Sequence, residues 1–198
     1  MTVVRVLVLL LAMGCFGSFG WAMKRLFTKP DGESTSMRAL TACATVCAVA
    51  HLTSLLWFNN SSLITSAAGA LLYSLAVVLF WWSVRSTRTA PLSFALSCDT
   101  PTSLSCTGPY GLVRHPFYTS YLLAWLAGTV ATEQPWLLVT VVLMGTFYYR
   151  AAGLEETKFD SSSLRKEYTA YAEATGRFSP RIWRSGTCRQ RMPERDEG

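Results

Sequence analysis

The chain has 198 residues, of which 51% are hydrophobic and only 15% are charged. Soluble domains carry about 25% charged residues, so this composition excludes an ordinary soluble enzyme and favours a polytopic membrane protein. The net charge of +6 is concentrated towards the C-terminal end, where contact with anionic lipid explains it better than nucleic-acid binding does.

The apolar segments predict five membrane-spanning helices. The first, residues 3–23, is followed directly by Lys24 and Arg25 and has no small-x-small cleavage site, which favours an uncleaved helix over a signal peptide. The other four are predicted at residues 39–58, 63–84, 117–132 and 136–151. The fourth segment is shorter than the roughly 20 residues that a membrane-spanning helix needs. The predicted fold is therefore an all-α polytopic bundle.

The basic residues of the loops predict how this bundle is oriented. The loops after the first and third spans and the segment after the fifth contain Lys and Arg, whereas the loops after the second and fourth contain none. Cytoplasmic loops are enriched in Lys and Arg. We therefore expect the N-terminus outside and the C-terminus in the cytoplasm.

An amphipathic helix is predicted after the fifth span. Leu164, Tyr168 and Tyr171 recur at helical spacing, and Gly176 followed by Pro180 marks the end of the helix. We expect one membrane domain over residues 1–183, and a disordered basic tail over residues 184–198.

Residues 108–118 form the densest polar and aromatic cluster of the sequence. The Gly108-Pro109 turn and the Arg114-His115-Pro116 break are not typical of a spanning helix. Such backbone beside a membrane must be covered by protein or line a polar cavity. The short turn between the last two spans makes them antiparallel, so this stretch is expected close to Glu155-Glu156. An ion pair that merely fastens two helix ends is the alternative explanation.

Other polar residues carry less information. His51 lies inside the second span, where a lone histidine is more often satisfied by a neighbouring helix than functional. The six cysteines show neither a zinc spacing nor a disulfide framework, so no metal is expected.

The stretch GPYGLVRHPFY, a helical hairpin, then Leu154-Glu155-Glu156 and the amphipathic tail resemble the isoprenylcysteine carboxyl methyltransferase family. Phospholipid N-methyltransferases share a similar C-terminal signature. The resemblance covers roughly residues 102–182. It implies an integral-membrane methyltransferase that uses S-adenosyl-L-methionine and acts on a lipophilic acceptor from the bilayer.

The resemblance also implies a set of site residues. The residues expected to bind the cofactor are Leu104, Ser105, Tyr110, His115, Pro116, Phe117, Tyr118, Glu155 and Glu156. Arg114 and Arg150 are the candidate catalytic residues. In the prenylcysteine enzymes an arginine one helical turn before the glutamate pair holds the substrate carboxylate. Here Arg150 is displaced by one residue and Ala151 stands at the matching position, which puts a carboxylate substrate in doubt.

Three other functions compete with this one. A phospholipid N-methyltransferase is the second enzyme hypothesis. A non-catalytic scaffold of the same fold predicts no binding of S-adenosylhomocysteine. A transporter is disfavoured because only His51 lies at membrane depth, without an inverted repeat.

Overall fold

A computed structural model describes residues 3–25, 35–58, 61–87 and 104–181. The predicted tail at 184–198 lies outside these residues. Within them the chain forms α-helices joined by turns, with short 3₁₀ turns at Gly108–Gly111 and Pro135–Leu137. The helices are α1 (Val3–Arg25), α2 (Thr35–Trp57), α3 (Leu63–Thr87), α4 (Pro116–Thr132), α5 (Leu138–Asp160) and α6 (Arg165–Ala174).

Four segments of the described chain are long and apolar enough to cross a membrane: Val3–Met23, Arg38–Trp57, Leu63–Thr87 and Pro135–Asp160. Large apolar side chains such as Val46, Val78 and Val142 are exposed on their outer faces, as expected for lipid contact. The all-α polytopic bundle is therefore confirmed. The predicted fourth span is also a helix, α4, but its 17 residues are about 25 Å long, less than the hydrocarbon thickness.

Helix α4 is the central helix of the bundle. Small residues on its buried face, including Ala124, Ala127 and Ala131, allow α3 to approach closely. A β-carbon added at Gly69 of α3 would lie 2.4 Å from Cβ of Ala131, so only glycine fits at this crossing. Close packing around α4 is what holds its first turn, and the polar residues before it, in one place.

The turn of the α2–α3 hairpin and the turn of the α4–α5 hairpin lie at the same end of the bundle. Oε1 of Glu133 accepts hydrogen bonds from the backbone N–H of Ser62 (2.8 Å) and from Oγ1 of Thr65 (2.6 Å). Arg5, near the start of α1, donates to the carbonyl oxygen of Ser61 at 3.0 Å. The start of α4 and the end of α5 therefore meet at the opposite end, as the antiparallel arrangement predicts.

Two expectations need correction. Helix α5 does not end near residue 151 but continues to Asp160, so Glu155 and Glu156 lie within the helix rather than after it. The helix continues over residues 152–159 because Ala152 is buried and the ring of Phe159 stacks on the ring of Tyr168 of α6, with 4.4 Å between the ring centres. Cys106 is disulfide-bonded, although the spacing indicated no disulfide framework. Unlike Cys15, Cys43 and Cys47, it lies in a connecting segment rather than in an apolar helix.

Candidate functional site

The site begins at the 3₁₀ turn Gly108–Gly111, which ends the connection from α3. Gly108 has a φ of +61°, and a β-carbon there would lie 2.4 Å from Oγ of Ser86, so this position requires glycine. The turn buries Tyr110, whose carbonyl oxygen accepts a hydrogen bond from the hydroxyl of Tyr171 at 2.7 Å. Helix α6 is thereby fixed to the turn, and Tyr110 points its own hydroxyl into the protein.

Helix α4 starts at Pro116, with His115 as the preceding residue and no side-chain cap. A strap formed by residues 175–178, which follows α6, supplies hydrogen bonds here instead. The N–H groups of Arg114 and His115 donate to the carbonyl oxygens of Gly176 (2.8 Å) and Arg177 (3.1 Å). Oγ1 of Thr119 donates to the carbonyl oxygen of Phe178 at 3.0 Å. The strap therefore covers the beginning of α4.

Glu156 binds three basic side chains. Its Oε1 accepts from Nε of Arg114 (3.1 Å), Nε2 of His115 (3.0 Å) and Nε of Arg177 (3.0 Å), and its Oε2 pairs with the other end of the Arg177 guanidinium. Arg114 also donates to the carbonyl oxygens of Ala172 (2.8 Å) and Thr175 (2.5 Å). The carboxylate of Glu156 is thus saturated by protein groups that tie α4, α5 and the strap together.

Glu155 has fewer protein partners. One oxygen accepts from the hydroxyl of Tyr118 at 2.7 Å, and the other lies 3.0 Å from Nδ1 of His115. Its side chain is 24% exposed, compared with 16% for Glu156. Carboxylate oxygens have about four lone-pair positions in total, so Glu155 retains acceptor capacity for a ligand.

His115 bridges the two carboxylates with both of its ring nitrogens. Burial by itself lowers its pKa, but the hydrogen bonds and negative charges of Glu155 and Glu156 outweigh that effect, and the pKa is raised above 6.5. Both nitrogens donate only in the imidazolium form. The two carboxylates therefore favour the cationic form of His115.

Aromatic rings surround this charged cluster. The ring of Tyr118 is stacked between His115 (5.7 Å) and Tyr148 of α5 (5.4 Å). Phe178 of the strap packs on His115 at 6.0 Å, and the guanidinium of Arg177 lies 4.8 Å from the ring centre of Tyr149. Rings that exclude water strengthen the ion pairs and offer faces that attract cations.

The structure brings together most of the predicted site residues. Arg114, His115, Tyr118, Glu155 and Glu156 form one cluster, with buried Tyr110 held by α6 beside it. Five predicted residues lie outside this cluster: Leu104, Ser105, Pro116, Phe117 and Arg150.

Phe117 is directed towards the core, where it packs on Phe80 at 5.6 Å, and Pro116 is the buried first residue of α4. Leu104 and Ser105 are half-buried in the segment before the 3₁₀ turn. Arg150 is exposed on α5 and makes no hydrogen bond or ion pair within the described residues, so the cluster does not include it.

Arg177 is the residue that sequence reasoning missed. It belongs to the region of resemblance, but only the basic charge directly after the helix-ending Gly176 marked it in the sequence. The negative charge of Glu156, through a hydrogen bond, raises the pKa of Arg177 above its ordinary value. The sequence marks where α6 ends but not the path of the strap, because that path is set by its contacts with the distant residues Arg114 and His115.

The family model described as phospholipid methyltransferase matches residues 64–167, from the first turn of α3 into α6. The cobalt-zinc-cadmium resistance protein CzcN of Cupriavidus metallidurans is 39% identical over 82 residues, which are 40% of this chain. This chain spans only 37% of the length of that relative. No solved structure matches the chain.

The family match covers the helices that carry the cluster and runs through both halves of the predicted signature, Arg114-His115-Pro116 and Glu155-Glu156. It confirms the predicted relationship to the methyltransferases of prenylcysteine and phospholipids at the level of the family. With more than half of its length matched, in an apolar bundle of spanning helices, the chain belongs to the phospholipid methyltransferase family of membrane proteins.

Proposed function

We propose that the protein transfers a methyl group from S-adenosyl-L-methionine to a lipophilic acceptor in the bilayer. The observation that supports this most is the cluster of His115, Tyr118 and Glu155 at the end of a helical bundle, with one carboxylate saturated and the other retaining acceptor capacity. The family relationship supplies the reaction class. What we propose beyond the family relationship is the identity of the cofactor and the chemical class of the acceptor.

The residues present fit a sulfonium cofactor. Glu155 offers lone pairs to an ammonium group or to ribose hydroxyls, and the faces of Tyr118 and Tyr148 offer contact to a cation. The hydroxyl of buried Tyr110 has no hydrogen-bond partner among the described residues and is free to bind a polar group. Arg114 holds Glu156 and the strap, so its task is to position the site.

Methyl transfer requires little covalent chemistry from the side chains of the protein. Bound here, the cofactor would supply an activated methyl group, whose carbon would bond to the acceptor's lone pair while the electron pair of the carbon–sulfur bond returned to sulfur. The chain's own residues hold the two reactants in line and exclude water. The strap and the rings of Tyr118 and Phe178 serve that purpose.

Calorimetric titration of the purified protein with S-adenosylhomocysteine tests the cofactor proposal. We expect binding by the wild type and about 10- to 100-fold weaker binding by Glu155→Gln, since one hydrogen bond to a charged group is lost. Glu173→Gln, at an exposed position of α6, is the matched control and should bind as the wild type does. A wild-type protein that does not bind the ligand would exclude the proposal in favour of a scaffold.

Two classes of methyl acceptor fit this proposal. A prenylated cysteine carboxylate is suggested by the sequence signature. The exposed position of Arg150 favours a phospholipid amine. Arg114 and Arg177 are both bound to Glu156, so without Arg150 the cluster offers no unpaired cation to bind a substrate carboxylate. Methyl transfer from labelled cofactor into a farnesylcysteine analogue, compared with transfer into extracted phospholipids, distinguishes them. Labelling of neither would exclude both acceptors.

We also propose that the site faces the cytoplasm, on the basis of the loop charges. C-terminal fusions are expected to give fluorescence with green fluorescent protein and no activity with alkaline phosphatase. The reverse pattern would place the site outside.

A further inference from the structure

A second polar cluster lies inside the bundle, towards the α4–α5 turn and about four turns of α5 before Glu155. It joins His51 of α2, Tyr73 of α3 and Thr140 of α5, next to Gly128 of α4. The side chains of His51 and Tyr73 are 0% exposed. At this depth neither lipid nor bulk water can serve as a hydrogen-bond partner, so buried polar atoms have to be satisfied inside the protein.

The hydrogen bonds of Thr140 define the protonation of His51. Oγ1 of Thr140 donates to the carbonyl oxygen of Leu137 at 2.7 Å. A hydroxyl has a single proton, so when Thr140 donates it to Leu137 the same oxygen accepts from Nε2 of His51, 2.7 Å away. In that arrangement neutral His51 carries its proton on Nε2, and Nδ1 is a hydrogen-bond acceptor.

Nδ1 of His51 and the hydroxyl of Tyr73 face the same point. A β-carbon built on Gly128 would lie 2.1 Å from Nδ1 and 2.8 Å from the Tyr73 hydroxyl. Neither atom has a hydrogen-bond partner among the residues that the structure describes. One is an acceptor and the other a donor, and the glycine lets both approach the backbone of α4.

We propose that a single water molecule binds here and bridges Tyr73 to His51. It accepts the proton of the Tyr73 hydroxyl in one hydrogen bond and donates to Nδ1 of His51 in another. A continuous relay then runs from α3 through α2 to α5 and ends on the carbonyl oxygen of Leu137. Buried waters characteristically join polar groups that the protein leaves unpaired.

The surroundings select water over a larger ligand. The ring of Trp125 lies 5.3 Å from the ring of His51, and the ring of Phe16 lies 6.3 Å from it and 6.4 Å from Tyr73. The ring of Phe16 has no polar atom, and the indole N–H of Trp125 already donates to the hydroxyl of Tyr148 at 3.3 Å. The water site does not depend on methyl transfer and stands or falls separately from the proposed function.

The first test is ¹⁵N NMR of histidine-labelled protein in lipid nanodiscs. The chain has only two histidines, so the His115→Gln variant assigns both signals. We expect His51 to be neutral, protonated on Nε2, with an Nδ1 shift typical of a hydrogen-bonded acceptor that moves to the free value in Tyr73→Phe. A proton on Nδ1, or an Nδ1 shift unchanged by Tyr73→Phe, would overturn the proposal.

The second test is a high-resolution structure of the wild type in lipid. Density for one water within hydrogen-bonding distance of both atoms is expected, and a direct contact between Tyr73 and His51 would exclude the bridge. Gly128→Ala should abolish both the density and the hydrogen-bonded Nδ1 shift. Gly14→Ala, where a β-carbon meets nothing within 4 Å, should change neither. If Gly128→Ala does not fold, the wild-type and Tyr73→Phe measurements decide.

Discussion

At the scale of single residues, the two adjacent glutamates of α5 have different tasks. Glu156 binds Arg114, His115 and Arg177, whereas Glu155 has only Tyr118 and His115 as hydrogen-bond or ion-pair partners in the part of the chain that the structure describes. Neighbouring positions on a helix are about 100° apart, so one carboxylate turns towards the strap and the other towards the tyrosine rings. The sequence signature treats the pair as a unit, and only the side-chain contacts separate them.

Substitution of the saturated carboxylate should therefore lower stability. Glu156→Gln leaves Arg114, Arg177 and His115 without their shared anion, and we expect a loss of about 3 kcal/mol in the free energy of unfolding. Glu155→Gln should cost much less stability while weakening binding of S-adenosylhomocysteine. Thermal unfolding of both variants in nanodiscs measures the difference. Equal destabilisation by the two substitutions would show that the glutamates share one task.

His115 makes stability depend on pH. Burial alone would lower its pKa in the folded state, but the hydrogen bonds and negative charges of Glu155 and Glu156 outweigh burial and raise the pKa above 6.5. The contribution of His115 to the free energy of unfolding is fully present below pH 6.5, the ordinary pKa of histidine. It is lost as the pH rises through the pKa of the folded state. The unfolding midpoint should thus fall as pH rises above 6.5 in the wild type, and this component should be missing in His115→Gln.

At the scale of elements, the strap of residues 175–178 completes the site. It supplies carbonyl acceptors to Arg114, His115 and Thr119 and forms an isolated bridge between Val113 and Gly176. Its path requires glycine at 176, because a β-carbon there would lie 1.8 Å from the carbonyl oxygen of Ser179. This contact is with backbone, so no side-chain rotation can relieve it.

Gly176→Ala should consequently displace the strap without unfolding the bundle. We expect weaker binding of S-adenosylhomocysteine, by about tenfold or more, since Arg177 and Phe178 lose their positions. Faster proteolysis after α6 should accompany this loss. Gly153→Ala is the control, because a β-carbon there meets nothing within 4 Å. Wild-type affinity in Gly176→Ala would argue that the strap is not part of the site.

At the scale of the whole molecule, packing around α4 holds the site together. Small residues let α3 and α4 cross closely, and Glu133 ties the two hairpin turns at the end remote from the site. Lipid tails are as apolar as the helix surfaces, so the hydrophobic effect does not drive helices together in a membrane. Close packing and interhelical hydrogen bonds contribute to the stability of the bundle instead.

Gly69→Ala tests this packing. The added β-carbon would lie 2.4 Å from Cβ of Ala131 and 3.0 Å from its Cα, so α3 and α4 must separate. We expect a loss of about 1–3 kcal/mol in the free energy of unfolding, as is usual for an overpacked core. Gly17→Ala, with open space around it, should be neutral. Thermal unfolding in nanodiscs again gives the comparison, and equal midpoints would contradict the close crossing.

The sequence by itself determined the apolar bundle, the order of its helices and the meeting of residues 108–118 with Glu155-Glu156. Each of these follows from local composition, turn residues and the short connection between α4 and α5. Only the tertiary structure decided that α5 continues past Glu156, that Arg177 shares that carboxylate, that Arg150 is exposed, and that His51 and Tyr73 meet at Gly128. These features depend on the rotation and register of packed helices, which contacts between distant residues set and local pattern does not.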